Sequence, residues 1–269
     1  MVRAILFDLG DTLLDFAPMK TKTLVAQGAR NSYDRLQQMG CPLPSFNRYL
    51  RGNFGAVRRA LIWSRLRRRD FSTFEIMRQR NIRLGIPNTD DLMFDLGWQW
   101  YKGVVDYSSV DPNLIPTLAQ LRDAGIKLGV VSNTVVGGPL IDRHMEIMGL
   151  LEFFPVRIYS CEVGYRKPSP RIFNAALAAI GEKPQDVLFV GDLVKKDIIG
   201  AGRMGMKTCL RQPNAQGTSH PIADYLVRQI SELSAIVLPA SRQARRPVVA
   251  PAEIDLVSAD TEAMANQTN

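Results

Sequence analysis

The stretch Arg3-Ala4-Ile5-Leu6-Phe7-Asp8-Leu9-Gly10-Asp11-Thr12-Leu13 sets four apolar residues in a row and then runs directly into acid, glycine, acid and threonine. A short apolar run without polar alternation suits a strand covered on both faces, as in a parallel sheet. Two more such runs follow, Ile126 to Val131 and Val187 to Val190. Between them lie helical patterns: Leu114, Leu118 and Leu121 share one face, and Ile172, Ala175, Ala176 and Ala179 share another. Strands alternating with helices predict an α/β core built on a doubly wound parallel sheet.

Residues from about 17 to 107 break this rhythm with aromatic and arginine-rich helical patterns and no convincing strand. Turn signals at Gly40 to Pro44 and Gly85 to Asp90 divide the segment into about four helices. The expected organisation is a core of residues 1–16 and 108–238 with a helical domain, 17–107, inserted after the first strand. Asp224 to Leu238 reads as one amphipathic segment, with Leu226, Ile230 and Leu233 in register. From 239 to 269 the chain is rich in Pro, Ala, Arg, Ser and Thr without periodicity, the composition of a disordered tail.

The net charge of +8 is unevenly spread. Arg48 to Arg83 holds eleven arginines against two acids, Asp70 and Glu75. Such a field attracts phosphorylated substrates, and equally anionic membrane or nucleic acid, although a solvated helix face accounts for it as well. Three scattered cysteines, Cys41, Cys161 and Cys209, suggest neither a disulfide framework nor a metal site, and fit a reducing cytoplasm. The apolar start is too short for a signal peptide, and charges or prolines interrupt every longer run, so a cytoplasmic protein is expected.

Four constellations stand at the C-terminal ends of expected strands, where open α/β sheets place ligands. Asp8 ends the first, and a carboxylate so placed can act as a nucleophile. Ser132 and Asn133 end the second and can donate hydrogen bonds to phosphoryl oxygens. In the third, Lys167 precedes Pro168, and its ammonium can neutralise charge on a transferring group. In the fourth, Asp192 and Asp197 bracket a turn and can face one hard cation.

Taken in this order, the four motifs resemble the haloacid dehalogenase (HAD) superfamily: a strand with DxDx(T/V), a strand with Ser or Thr, Lys before Pro, then GDxxxxD. The resemblance covers roughly residues 3–16 and 108–236. It implies a Rossmann-like core and makes the helical insertion look like the cap domain of the phosphoglycolate-phosphatase-like and dehalogenase-like branch. It further implies Asp8 as nucleophile, Ser132 and Lys167 as its catalytic partners, Asn133 in substrate binding, and Mg2+ held by Asp8, the Gly10 carbonyl, Asp192 and Asp197. A small phosphorylated metabolite is the implied substrate; nucleic acid or membrane is the less favoured partner of the basic cap.

One position departs from the pattern. The family's phosphatases carry a second aspartate two residues after the nucleophile as general acid and base, and here that residue is Gly10. A carbonyl can bind metal but cannot deliver a proton. Asp11, one residue on, is the candidate replacement, although adjacent side chains after a strand point in different directions. The dehalogenases of the superfamily also lack the second aspartate, but they work without metal and lack the acidic pair that Asp192 and Asp197 provide. Magnesium-dependent phosphomonoester hydrolysis is therefore the leading expectation. Dehalogenation, or a catalytically weak protein that binds an anion, membrane or partner, are the alternatives.

Overall fold

The run after Arg3 is buried on both sides: Ile5 and Phe7 enter one apolar cluster, and Ala4 and Leu6 enter another on the opposite face. The next strand over divides in the same way, with Leu188 and Val190 on one side and Val187 and Phe189 on the other. Covering both faces is what a continuous apolar strand requires.

The computed structural model describes residues 1–67 and 69–239. The elements are β1 (Ala4–Phe7), β2 (Asp15–Phe16), α1 (Thr21–Gln38), α2 (Phe46–Arg67), α3 (Thr73–Arg83), α4 (Asp90–Tyr101), β3 (Ser108–Ser109), α5 (Leu114–Asp123) and β4 (Lys127–Ser132). There follow α6 (Gly138–Ile147), β5 (Val156–Tyr159), α7 (Ser160–Val163), α8 (Pro170–Ile180), β6 (Val187–Gly191), α9 (Ile199–Gly202), β7 (Lys207–Arg211), β8 (Tyr225–Val227) and α10 (Leu233–Val237). Six strands form one parallel sheet in the order β5-β4-β1-β6-β7-β8. The chain winds from β1 outward through β4 and β5, then returns to β6 and winds the other way. The carboxyl end of β1 thus lies at the switch point, where such sheets bind ligands. The fold is α/β, a Rossmann-like core with a helical cap.

The cap helices α1 to α4 have an apolar cluster of their own, centred on Leu36, Tyr49, Met93 and Leu96. The turn signals fall where helices end: Gly40 and Gly85 adopt positive φ, which glycine allows without a Cβ penalty. Two short antiparallel strands, β2 and β3, tie the chain together where it leaves and re-enters the sheet. Two residues each, they carry no pattern that a sequence reading can detect.

The segment 224–238 differs from its expected single amphipathic stretch. Tyr225 to Val227 instead pair with Cys209 to Arg211 as the edge strand β8, and a separate short helix follows; Val227, Ile230, Leu233 and Leu238 all enter the core, so the segment packs back on it. Three β-favouring residues beside an open sheet edge outweigh a helical period resting on three positions. The expected tail lies, from residue 240 on, outside the described residues. No helix among the described residues is long and apolar enough to cross a membrane.

His144 on α6 is fully buried where cap meets core. Its Nδ1 lies 2.9 Å from the Tyr101 hydroxyl and its Nε2 lies 2.6 Å from Ser108 Oγ. Ser108 already donates to the Val105 carbonyl, so Nε2 must be a donor. Burial pushes the imidazole down to about 4, which keeps the ring neutral and makes Nδ1 the acceptor from Tyr101. The unfolded chain takes up this proton near pH 6.5 and the folded chain resists until about 4, so stability is full at pH 7 and falls as pH drops through that window. At pH 4.5 this one group is expected to cost about 2 kcal/mol relative to pH 7. Urea unfolding at both pH values, on wild type and His144→Gln, checks it; an equal loss in both proteins would show that His144 is not responsible.

Candidate functional site

The carboxyl ends of β1, β4 and β6, with the loop before α8, converge on one place. Asp8 follows β1, and its amide donates to the Val190 carbonyl on β6 at 2.8 Å, fixing the backbone from which its carboxylate projects. The Leu9 amide donates to Asp8 Oδ1 at 2.8 Å. Lys167 Nζ lies 2.8 Å from Asp8 Oδ1 and 2.8 Å from Asp197 Oδ1, with almost no exposure. Asp197 also accepts from the Leu193 amide at 3.0 Å. Its close seat depends on Gly191: a Cβ there would lie 2.5 Å from the Asp197 Cβ, which gives the glycine of the fourth motif a steric reason.

A cavity of about 340 Å³ opens over this cluster, and Asp8, Gly10, Asp11, Ser132, Asn133, Lys167 and Asp192 line it. Asp197 lies behind Lys167. Asn133 makes a two-point clamp: its Nδ2 donates to the Lys167 carbonyl at 3.1 Å and its Oδ1 accepts from the Lys167 amide at 2.7 Å. With both ends of its amide engaged in this way, Asn133 has the geometry of a residue that positions Lys167, and it also lines the cavity.

The electrostatics favour a cation. Oxygen atoms of Asp8, Asp192 and Asp197 lie within 4.8 Å of one another. Burial, with Asp8 and Asp197 alongside, pushes the Asp192 carboxyl up to about 7. Burial also raises Asp197 against the pull of Lys167. Burial works to depress the Lys167 ammonium, but Asp8 and Asp197 overcome it and hold its pKa above the ordinary value. One ammonium thus faces three carboxylates, and Asp192 Oδ1 is buried with no hydrogen-bond partner. An orphaned carboxylate oxygen in an acidic, all-oxygen donor set fits a hard divalent ion such as Mg2+.

Around the cluster the structure assembles parts the sequence reading did not find. Arg211 at the end of β7 pairs with both oxygens of Asp15, at 2.7 and 3.1 Å, and donates to the Asp11 carbonyl at 2.8 Å, pinning the turn after the nucleophile. Asp11 holds φ at +53° and is exposed, facing the cavity rim. Asp70, one of the two acids of the basic segment, has a fully buried carboxylate that accepts from Ser160 Oγ at 2.5 Å and from Arg166 Nε at 2.9 Å. Arg166, the half-exposed neighbour of Lys167, is thus a link between core and cap. Thr73 adds a second link, its amide and hydroxyl both donating to the Val135 carbonyl. An acid directly after a run of three arginines was the available signal for Asp70, but its partners lie about 90 residues away. The described arginines of Arg48 to Arg83 contribute nothing to the cavity lining, whose cations are Lys167 and Lys196.

Comparison with known proteins agrees with this geometry. A glyceraldehyde 3-phosphate phosphatase of Methanopyrus kandleri is 41% identical over 99 residues, which make up 36% of this chain and 41% of that protein. The match therefore spans less than half of that relative's length. A ribulose-1,5-bisphosphate 5-phosphatase of Halopiger xanaduensis is 25% identical over 226 residues, 83% of this chain and 90% of that one. Among solved structures, a HAD phosphatase from Thermococcus onnurineus superposes with a TM-score of 0.53 at 25% identity, covering 87% of this chain and 97% of that chain. The pattern described as haloacid dehalogenase-like hydrolase matches residues 2–205. With its four motifs gathered at one switch point, the chain belongs to the haloacid dehalogenase-like hydrolase family.

Proposed function

We propose that the protein hydrolyses small phosphomonoesters in two steps through an aspartyl phosphate on Asp8. The observation that carries this reading is the buried cluster in which Lys167 bridges Asp8 and Asp197 while Asp192 presents an unpartnered oxygen to the same cavity. The relatives named as phosphatases of glyceraldehyde 3-phosphate and ribulose 1,5-bisphosphate support the reaction class. An acidic cluster of this kind argues against the metal-free dehalogenase alternative, because its like charges call for a cation between them.

In the first step an Asp8 oxygen attacks phosphorus, and the ester oxygen departs with the bonding pair. Lys167 offsets charge on the phosphoryl group and orients Asp8, while Ser132 donates a hydrogen bond to a phosphoryl oxygen. In the second step water attacks phosphorus, the Asp8–phosphorus bond breaks, and inorganic phosphate leaves. Asp197 and Asn133 hold Lys167 in place from behind and from its backbone. Asp8, the Gly10 carbonyl and Asp192, with Asp197 in support, would hold Mg2+, which would supply charge withdrawal from the phosphoryl oxygens. Gly10 contributes no acid, so the departing oxygen takes its proton from solvent or from Asp11 at the rim.

Metal removal tests this directly. Turnover of a panel of phosphate monoesters is expected to vanish in excess chelator and return with added Mg2+. In Asp192→Asn the Mg2+ concentration for half-maximal activity is expected to rise on the order of 10- to 100-fold, since an anionic ligand is lost. Chelator-resistant turnover, or chloride release from a 2-haloacid under the same conditions, would overturn the proposal.

A further inference from the structure

A second cavity, of about 350 Å³, lies beside the first, between the cap and the core. The two adjoin, sharing Tyr101, Val104 and Val136 in their linings. Where the first brings three carboxylates, the Asn133 amide and two lysines together among apolar residues, the second is walled by Phe54, Val57, Phe74 and Trp100 and their apolar neighbours. The few polar side chains on its wall are already engaged. Asn53 donates to the Tyr49 carbonyl at 3.1 Å and accepts from Arg80 Nε at 2.8 Å. Thr73 donates to the Val135 carbonyl at 2.9 Å, and the Tyr101 hydroxyl lies 2.9 Å from His144.

We infer that this cavity is the leaving-group site, and that the substrate is a phosphate monoester of an apolar alcohol, branched-alkyl or aromatic. The inference rests on the phosphatase reading for the identity of the phosphoryl end. A phosphoryl group on Asp8 places the ester oxygen in the first cavity and its substituent at the shared wall. The size fits: a dry apolar cavity of about 150 Å³ accepts benzene, so this one holds a group roughly twice as large. The chemistry excludes the opposite class. A polyhydroxylated sugar chain would bring hydroxyls to a wall whose polar groups are engaged elsewhere, and each hydroxyl left without a partner is costly to desolvate. Ligand sites commonly pair a large apolar wall with a few convergent polar groups, and here the two functions occupy adjoining chambers.

The test compares methyl, n-butyl and n-hexyl phosphate with glycerol 3-phosphate in the presence of Mg2+. These alkoxide leaving groups are of similar quality, so differences in kcat/KM report binding of the substituent. Each added methylene is expected to raise kcat/KM up to about fourfold until the cavity fills. Hexyl phosphate should then exceed glycerol 3-phosphate on the order of 100-fold. In Val57→Asn the hexyl-to-methyl ratio is expected to fall about 10-fold. Phe54→Ala, at a side chain already 46% exposed, supplies a second variant whose folding is safer, and it should lower the same ratio. Calorimetric titration with n-hexylphosphonate and with methylphosphonate provides a readout independent of turnover. Tighter binding of the hexyl compound with no ester hydrolysed would sink the phosphatase reading and keep the apolar site. Glycerol 3-phosphate turned over as well as hexyl phosphate would keep the phosphatase reading and overturn the apolar site. Equal binding of the two phosphonates would overturn it as well.

Discussion

Replacing Asp8 with asparagine is expected to lower magnesium-dependent phosphatase turnover by a factor on the order of 10⁴ or more, the scale on which loss of an enzymatic nucleophile is felt. The substitution is nearly isosteric, and the amide oxygen can still accept from the Leu9 amide that now meets Asp8 Oδ1 at 2.8 Å. Lys167 keeps its 2.8 Å partner in Asp197, so its buried ammonium is not orphaned. Asp192 loses the carboxylate that raises its pKa most among Asp8, Asp197 and Asp11, which removes repulsion from the metal-free protein. The variant should therefore fold with unchanged or higher stability while it fails to form a phosphoenzyme. Two measurements decide the matter: steady-state turnover, and trapping of a covalent phosphoryl adduct after rapid mixing with substrate. Retained turnover, or an adduct that persists in the variant, would remove Asp8 from the role of nucleophile.

Asp8 could be singled out because the information is local. An apolar run followed by an acid needs no knowledge of the rest of the chain, and the same holds for Ser132 at the end of β4 and Asp192 after β6. The parallel sheet was legible for a similar reason, since strands buried on both faces lose the polar alternation that hides weaker ones. What could not be read lies in pairings over long distance. Arg211 meets Asp15 across 196 positions, and Asp70 meets Arg166 across 96. Neither partner announces the other. The edge strand β8 was hidden because an edge position makes weaker demands on its residues, and two of its three are only half-buried. Asn133 shows a subtler limit. Its position after a strand was apparent, but the use of its amide on the Lys167 backbone depends on how a loop 34 residues later returns. The apolar second cavity had no sequence signature at all, because its walls come from all four cap helices, the turn after α4 and the entry into α6.

Restoring an acid two residues after the nucleophile, in Gly10→Asp, is expected to raise kcat for alkyl phosphates by about 10²- to 10⁴-fold, the usual worth of a positioned proton transfer. The backbone permits it. Gly10 is not among the residues with positive φ, and a Cβ built there meets only Phe16 Cε2, at 3.6 Å, an ordinary contact. Gly10 already lines the cavity that holds Asp8, so the new carboxyl enters the same space. The cost falls on the metal-free protein, because a further carboxylate joins Asp8, Asp11 and Asp192 where burial and like-charge repulsion already lift Asp192 to about 7. Lower stability without Mg2+, recovered on adding it, should accompany the gain in rate. The leaving group distinguishes proton transfer from a general repair of the site. An alkoxide gains most from protonation as it departs, whereas p-nitrophenolate departs unaided. The gain should therefore be large for n-butyl phosphate and near one for p-nitrophenyl phosphate, and the pH profile for the alkyl ester should acquire a descending alkaline limb as the new acid deprotonates. An equal gain with both esters would mean that the aspartate acts through metal binding or positioning. No gain with either would mean that proton delivery does not limit this protein, and that Asp11 at the rim, or solvent, already suffices for the substrate it takes.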